Sequence, residues 1–347
     1  MPVITRNPWR GHGLGLDAPM PCDDPSAVSA LLARCPAHAP TPLREVPALA
    51  GPAGVARVFV KDERGRMGLG SFKALGAAHA IARDAAAAGA DDWALALAGR
   101  SYVTASAGNH GLSVAAGARV FGARAVIFLA ETVPEAFAGR LAARGAQVVR
   151  AGATYEASMD AAEAYARDNG CTLLSDSSWP GYTEMPLRVM EGYLQLAAEA
   201  ADALPEAPTH ILLQAGVGGL AAAVAAHARR RWGDAPQIVV VEPDAAPALV
   251  QSIRAGRVIR TQGPVSSMGR LDCKTPSLIA LNGLARDADL FVTITEAEAA
   301  RAVATLAEHG LSTTPSGGAG LAAPLAGQAF GPQARVLAVL SEGPEDG

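Results

Sequence analysis

Short apolar runs alternate with longer alanine-rich segments along most of the chain. Runs such as "ARAVIFLA" and "QIVVVEPD" are almost continuously apolar, as parallel strands that are buried on both faces must be. The segments between them, such as "YEASMDAAEAYARDNG", have the periodicity of amphipathic helices. Strands that alternate with helices predict parallel sheets whose faces are covered by helices.

The same pattern places individual elements. A helix is expected over "SFKALGAAHAIARDAAAAGA", with Ser71 as its N-cap, and another over "MPLRVMEGYLQLAAEAADAL". Residues 1–50 are rich in Pro, Gly and Ala, and we expect them to form an arm that leads into the first domain. The predicted strands lie in "VARVFVKDE", "WALALAG", "ARAVIFLA", "AQVVRAG", "CTLLSDSS", "THILLQAG", "QIVVVEPD" and "ARVLAVLSEG".

Composition narrows the class of protein. The 347 residues suffice for about two domains. Half of the residues are apolar and 18% are charged, which indicates a globular chain. The net charge of −4 argues against a nucleic-acid partner. The first residues lack the apolar segment of a signal peptide, and Ile211 to Ala228 is too polar for a membrane span. We therefore expect a cytoplasmic protein without a membrane partner.

The cysteines give no sign of a metal site. Cys22, Cys35, Cys171 and Cys273 lie far apart, and no two of them form a CxxC pair. A zinc site would need such pairs or a nearby histidine cluster. We expect reduced thiols and no bound metal at these positions.

A glycine cluster follows one predicted strand, in "ILLQAGVGGLAAAV". Gly216, Gly218 and Ala221 satisfy the dinucleotide pattern G-x-G-x-x-A, and Glu242 at the end of the next strand could bind a ribose. Bare amides at a helix N-terminus attract any phosphate, however. The loop predicts a phosphate site without revealing which molecule carries the phosphate, and a purely structural turn stays an alternative.

A second motif, "MGLGSFKALGA", places Lys73 near the start of a helix. The positive end of the helix dipole favours the neutral, nucleophilic form of an amine. A lysine that forms a Schiff base needs this form. The alternative is a surface lysine on an amphipathic helix.

A third motif, "TASAGNHGLSVAAG", has small residues before Asn109 and His110 and a helix after them. The backbone N–H groups of such a loop could bind a carboxylate, and the amide of Asn109 could donate to a ring oxygen. The alternative is an ordinary capped loop.

The three motifs, followed by a serine in "LAVLSEG", stand in the order found in the tryptophan synthase β family, the fold type II pyridoxal-phosphate enzymes. The chain resembles that family from about residue 38 onward. The resemblance implies two three-layer α/β/α domains with mostly parallel sheets and pyridoxal 5′-phosphate in the cleft between them. We expect residues 1–80 plus 190–347 to form a large cofactor-binding domain and residues 81–189 a smaller one.

The resemblance also assigns roles to residues. Lys73 would bind the cofactor covalently, Asn109 would contact its 3′-oxygen, and Ser341 would face the pyridine nitrogen. Because "VEP" at Val241–Pro243 also recurs in the family, Glu242 need not bind a ribose. The phosphate cradle would be formed by Gly216, Val217, Gly218, Gly219 and Leu220. The substrate carboxylate would be bound by Ser106, Ala107, Gly108, Asn109 and His110.

Within the family the chain resembles the diaminopropionate ammonia-lyases in particular. The segments "VFVKDERGRMGLGSFKALGA", "SDSSWPGYTEMPLRVMEGY" and "LSEGPEDG" carry this likeness. It implies that Asp176 is an acid/base for the L-substrate, whereas a carboxylate that caps a turn is the alternative. The lyases have T-D-G-N-H where this chain has S-A-G-N-H, a loop typical of serine and threonine dehydratases. Ala107 replaces the aspartate associated with the D-isomer, so a β-hydroxy amino acid becomes a second expected substrate.

The expected reaction is an α,β-elimination that yields a 2-oxo acid and ammonia. A neutral hydroxyl such as that of Ser341 opposite the pyridine nitrogen favours loss of the β-substituent over racemisation. Asp176, Lys73 or the cofactor phosphate could protonate the leaving group. A β-replacement synthase, a nicotinamide dehydrogenase and a non-catalytic binding protein are weaker alternatives. In related enzymes the region matching Thr313–Gly327 helps to build a monovalent-cation site, although a tight turn fits equally, and we expect a homodimer.

Overall fold

The computed structural model describes residues 2–344, which form eleven strands and twelve α-helices. The strands are β1 (Val3–Arg6), β2 (Leu43–Glu45), β3 (Arg57–Asp62), β4 (Ser101–Ala105), β5 (Arg124–Leu129), β6 (Gln147–Arg150), β7 (Thr172–Leu173), β8 (His210–Gln214), β9 (Gln237–Pro243), β10 (Leu290–Ile294) and β11 (Arg335–Leu340). The helices are α1 (Ser26–Leu32), α2 (Ala50–Ala53), α3 (Lys73–Ala88), α4 (Asn109–Val120), α5 (Glu135–Ala143), α6 (Tyr155–Asp168), α7 (Glu184–Ala203), α8 (Gly219–Trp232), α9 (Ala248–Ala255), α10 (Leu278–Asp287), α11 (Glu296–Glu308) and α12 (Pro315–Leu325).

The strands form two sheets. The larger has the order β1-β10-β9-β8-β11-β3-β2, in which only the edge strands β1 and β2 run antiparallel to their neighbours. The smaller sheet, β6-β5-β4-β7, is entirely parallel. The predicted α/β class with mostly parallel sheets is therefore confirmed. The predicted division at residues 81–189 stays a prediction.

The first fifty residues are more than the expected arm, and that prediction is wrong. Strand β1 pairs with β10, with Val3 opposite Thr293, and β2 pairs with β3, with Leu43 opposite Lys61. The N-terminal segment thus supplies both edge strands of the large sheet and pairs with β10 and β3, which would otherwise be the edges. An open edge exposes unpaired N–H and C=O groups, and this pairing satisfies them.

One predicted strand is also wrong. In "WALALAG", the side chain of Asp92 accepts a hydrogen bond from the Ala94 N–H at 2.9 Å, and Trp93–Leu95 form a 3₁₀ turn. The strand lies further on, at Ser101–Ala105, where every residue is buried. β10 was not predicted either. Short apolar runs do not distinguish strands from helical turns, and polar residues inside a buried strand conceal it.

The core explains why the central strands are continuously apolar. Along β8, Ile211 and Leu213 face one layer of packed side chains, whereas Leu212 faces the layer on the other side of the sheet. Val239 and Val240 of β9 divide in the same way. Because both faces are buried, neither position can be polar. This packing holds the strand ends that carry the candidate site.

The start of α3 differs from the prediction. Its N-cap is Phe72, which has no capping side chain, and its first residue is Lys73. Ser71 instead forms a β-bridge with Glu342, and its hydroxyl is buried. The predicted N-cap is wrong because this pairing holds Ser71 in an extended conformation, one residue too early for capping.

The candidate residues lie beyond the carboxyl ends of strands from both sheets. Asn109 follows β4, Asp176 follows β7, Gly216 follows β8 and Ser341 follows β11. In open parallel sheets ligands bind at this edge. Within residues 2–344 no helix has the length and apolar character needed to cross a membrane.

Candidate active site

Lys73 and Asp176 form an ion pair between the first residue of α3 and the loop after β7. Their side chains are 19% and 17% exposed, so the pair lies in a cleft and not on the open surface. The sequence singled out both residues, and the fold brings them into contact although they are far apart along the chain.

Lys73 and Asp176 each favour the charged form of the other. Burial raises the pKa of the Asp176 carboxyl, but the positive charge of Lys73 outweighs it and holds that pKa well below its usual range. Burial lowers the pKa of Lys73, but the negative charge of Asp176 outweighs burial and raises that pKa above its ordinary value. The expectation that the helix dipole keeps Lys73 neutral is therefore wrong, because a carboxylate in contact outweighs a partial charge.

The glycine loop after β8 has the backbone of a phosphate cradle. Gly218 is the N-cap of α8 and has φ +100°, a conformation that L side chains rarely adopt. A Cβ on Gly216 would lie 3.0 Å from the Arg270 carbonyl oxygen and from Cys273 Sγ. No side chain caps α8, so its first N–H groups face the space beside the loop.

The S-A-G-N-H loop leads into α4. Gly108 is the N-cap in an extended conformation, and its N–H donates to Ser106 Oγ at 3.3 Å. Asn109 Nδ2 donates to Glu342 Oε2 at 2.5 Å. His110 is turned the other way, with Nε2 2.8 Å from the Leu174 carbonyl oxygen. Burial lowers the pKa of His110 and favours a neutral ring, so this side chain anchors the loop to the small sheet.

Ser341 stands at the junction of three elements. Its carbonyl accepts from the Phe72 N–H at 3.0 Å, and its own N–H donates to the Gly317 carbonyl at 3.2 Å. These bonds hold the end of β11 against the start of α3 and the first turn of α12.

The carboxyl of Glu242 is engaged in backbone hydrogen bonds. Its carboxyl accepts from the backbone N–H groups of Leu249 and Val250, both at 2.8 Å. It therefore caps the first turn of α9, and the dinucleotide interpretation loses its ribose ligand.

Three residues of the cleft were missed. Glu342 is buried and also accepts a hydrogen bond from Thr314. Burial and then the negative charge of Asp176 raise the pKa of Cys273 to about 12, and the exposed Tyr155 lies within range of the same charge. No motif or periodicity marked Tyr155 or Cys273. Glu342 lies in the segment "LSEGPEDG", which carries the family likeness, directly after the predicted Ser341.

Several buried polar atoms around the pair lack partners. Within residues 2–344, Ser71 Oγ and Tyr193 Oη make no hydrogen bond. Tyr193 packs against Phe72, with ring centroids 4.9 Å apart, and burial raises the pKa of its hydroxyl. Orphaned buried donors are costly unless a ligand satisfies them. They fit a polar group bound between α3 and α8.

An amine in contact with an acid, a helix N-terminus shaped for phosphate and a loop of amide donors are the groups that an enzyme needs in order to bind a phosphorylated carbonyl compound through a lysine. The family described as pyridoxal-phosphate dependent enzyme matches residues 35–342. The chain belongs to this family, and the predicted cofactor, pyridoxal phosphate, is confirmed at that level.

The chain is also similar to individual ammonia-lyases and dehydratases. Diaminopropionate ammonia-lyase of Salmonella typhimurium is 31% identical over 289 residues, which cover 77% of this chain and 72% of the relative. Human L-serine dehydratase/L-threonine deaminase is 29% identical, with 83% of each chain covered. A crystal structure of diaminopropionate ammonia-lyase from Escherichia coli matches all of this chain and 94% of its own, with 27% identity and a TM-score of 0.87. The predicted resemblance and the lyase class are confirmed.

Proposed function

We propose that the protein performs a pyridoxal-phosphate-dependent α,β-elimination on a small β-amino or β-hydroxy amino acid. The contact between Lys73 and Asp176, beside the glycine loop, is the observation that carries this proposal. The cofactor, when bound, supplies an electron sink for the substrate's α-carbon. The α-proton and the β-substituent leave, and hydrolysis of the resulting enamine gives a 2-oxo acid and ammonia.

The proton transfers fall to the ion pair. Lys73 must lose its proton before its nitrogen can bind the cofactor, and the Asp176 carboxylate in contact with it accepts that proton. With its amine unprotonated, Lys73 would remove the α-proton of the substrate. Asp176, once protonated, donates to the departing amine or hydroxide.

Two loops bind the anionic groups, one the phosphate of the cofactor and the other the carboxylate of the substrate. The N-terminus of α8, at Gly216–Leu220, receives the phosphate, and the amides of Ser106–His110 receive the substrate carboxylate. Asn109 and Ser341 face the ring of the cofactor. Glu342 holds the Asn109 amide in place.

The leaving group separates two versions of this function. A dehydratase acting on hydroxy amino acids is favoured by the loop at Ser106–His110, which has the S-A-G-N-H sequence typical of serine and threonine dehydratases. Diaminopropionate releases two molecules of ammonia per oxo acid, and a hydroxy amino acid releases one. The ratio measured with a panel of L- and D-amino acids distinguishes the two.

The organisation of the protein is part of the proposal. We expect a cytoplasmic homodimer with a small domain at residues 81–189, and a monovalent cation near Thr313–Gly327. Light scattering of the purified protein and activity in K⁺ compared with Na⁺ test the dimer and the cation. Among residues 2–344, no cluster of His, Cys, Asp and Glu side chains suits a metal ion.

The central test is covalent cofactor binding at one lysine. Purified protein should be yellow with pyridoxal phosphate, and borohydride should bleach it and fix the cofactor on Lys73, as peptide mass spectrometry would show. Lys73→Ala should lose both the colour and ammonia release. Lys274→Ala is the matched control, because Lys274 pairs with Asp272 at 2.5 Å and should leave the colour intact. A colourless protein that binds NAD would overturn the proposal.

A further inference from the structure

The carboxylate that contacts Lys73 lies on a loop. This Asp176 loop, residues 174–183, joins β7 to α7. A side chain on a loop keeps a precise position only where the surrounding structure fixes the loop itself. Two sets of hydrogen bonds do so here, one before Asp176 and one after it.

The first set centres on the hydroxyl of Tyr182. Its oxygen accepts from the Ser175 N–H at 3.0 Å, and the hydroxyl donates to the Leu173 carbonyl at 2.8 Å. Ser175 directly precedes Asp176 and is buried, so its N–H depends on the tyrosine oxygen for a hydrogen bond. One hydroxyl thus ties the loop to the end of β7.

A tight turn fixes Tyr182 in its place. The backbones of Trp179 and Tyr182 exchange two hydrogen bonds, of 3.2 and 2.9 Å, and their rings stack with centroids 4.4 Å apart. Pro180 and Gly181 form the turn between them, and Gly181 has φ +86°, as the third position of a type II turn requires. The tyrosine hydroxyl therefore has a defined position.

The second set joins Ser178 to the start of α10. The Ser178 N–H donates to Ser277 Oγ at 3.1 Å, and the two hydroxyl oxygens are 2.7 Å apart. Ser178 Oγ also accepts from the Ile279 N–H at 2.9 Å, in the first turn of α10. Both serines are buried. A satisfied network of buried polar groups makes the local structure rigid.

The backbone of Ser277 continues this network to the glycine loop after β8. Its N–H donates to the Val217 carbonyl at 3.0 Å. The Asp176 carbonyl oxygen itself lies 4.0 Å from the position that a Cβ on Gly219 would occupy. The Asp176 loop and the glycine loop are therefore in contact, and Ser277 bonds to both of them.

We propose that Tyr182 and Ser277 are positioning residues, which keep Asp176 where it can protonate the leaving group of the substrate. This inference rests on the elimination function proposed above and adds residues that act through Asp176. A proton passes only between groups within hydrogen-bond reach, so a small displacement of the loop slows this transfer.

The choice of leaving group separates this role from general support of the fold. A departing hydroxide or amine takes a proton from Asp176, whereas the chloride of β-chloroalanine departs as an anion and takes none. In each case the bond to the β-substituent breaks and the α-proton passes to Lys73. Hydrolysis of the enamine then consumes one water and gives a 2-oxo acid and ammonia. Displacement of Asp176 should slow only the reactions that need its proton.

The measured quantity is a ratio of initial rates on the holoenzyme. It divides kcat for the fastest amino or hydroxy substrate of the amino-acid panel by kcat for β-chloroalanine. Tyr182→Phe and Ser277→Ala should each lower this ratio by about tenfold or more. Tyr102→Phe is the matched control, because this buried tyrosine of the small sheet bonds to Asp84 at 2.7 Å and should keep the wild-type ratio.

A double variant tests whether Tyr182 acts through Asp176. In the Asp176→Asn protein, Tyr182→Phe should change the ratio by less than about twofold, since the group that it positions is already lost. A full further loss in that background would overturn the inference. Equal slowing of both substrates in the single variants would do the same, as would an unchanged ratio.

Hydrogen exchange of the holoenzyme provides a readout that does not depend on turnover. The amides of residues 175–178 should exchange at least about tenfold faster in Tyr182→Phe and in Ser277→Ala than in wild type or Tyr102→Phe. Unchanged exchange would overturn the inference and leave the proposed function standing. A wild type that releases ammonia from no amino acid of the panel would reject the elimination function. Faster exchange in the two variants would then still show that Tyr182 and Ser277 fix the loop.

Discussion

At the scale of single residues, the charge state of Lys73 is decided by its partner. A helix N-terminus contributes about 0.3–1 kcal/mol against a positive charge. Contact with the Asp176 carboxylate in a cleft is a larger effect, and the pKa of Lys73 rises. The amine and a carboxylate able to accept its proton therefore lie in contact.

Asp176→Asn should reduce the rate of ammonia release by about 10²-fold or more, because the amide can neither take the proton of Lys73 nor protonate the leaving group. The amide keeps the size of the side chain, so the cofactor should still bind. Asp168→Asn, at an exposed position on α6, is the control. Steady-state kinetics with saturating cofactor measure the effect, and an unchanged kcat would make Asp176 a structural loop carboxylate.

At the scale of elements, the start of α8 depends on glycines for two different reasons. Gly218 needs its positive φ, and Gly216 is close to the 263–277 loop. Both features bring bare backbone amides to the surface of the cleft. The short loop between β8 and α8 therefore depends on its backbone conformation and not on its side chains.

Gly218→Ala should weaken pyridoxal phosphate binding by about tenfold or more and destabilise the fold by about 1–2 kcal/mol, because φ +100° strains any L residue. Its Cβ would also lie 3.0 Å from the Cβ of Ala280. Gly139→Ala is the matched control, since it lies inside α5 with nothing within 4 Å and should be neutral or slightly stabilising. Cofactor titration and urea unfolding measure both effects. Normal affinity in Gly218→Ala would place the phosphate elsewhere.

At the scale of the whole molecule, a buried ionic cluster joins β3, α7 and the N-terminal segment. Glu199 Oε2 accepts from Arg66 and from Lys61, each at 2.6 Å, and Lys61 also donates to the Thr41 carbonyl. Burial raises the pKa of Glu199, but Arg66 and then Lys61 outweigh it and lower that pKa to about 2.

Glu199→Gln should therefore cost about 3 kcal/mol or more at pH 7, because it leaves the buried Lys61 without an anion and Arg66 with Glu63 alone. The folded pKa lies below the unfolded value of 4.5, so the stabilisation is complete above pH 4.5 and is lost as the pH falls towards 2. The difference in the free energy of unfolding between wild type and variant should narrow as the pH falls from 4.5 towards 2. Urea unfolding at pH 7 and pH 4 would measure this difference. Glu45→Gln, which loses a solvent-screened pair with Arg57, should cost much less than Glu199→Gln at either pH. A difference that stays constant with pH would contradict the charge assignment.

Much of the fold and of the candidate site could be predicted from patterns within short segments of the sequence. The α/β class followed from apolar strands alternating with helices, and "GSFKALG", "SAGNHG" and "GVGGL" identified the lysine and both loops, because each motif works through residues adjacent in sequence. The strand at Ser101–Ala105 escaped notice because Ser and Thr are tolerated once neighbouring strands bury them. Edge strands β1 and β2 escaped because their partners lie far away along the chain.

The sequence by itself determined the order of the motifs, the parallel architecture and the family. Only the tertiary structure decided the protonation of Lys73, the helix-capping role of Glu242 and the hydrogen bond between Ser178 and Ser277. Local motifs depend on backbone conformation within a few residues. Charge states and the positions of loops depend on side chains that the topology brings together from distant segments.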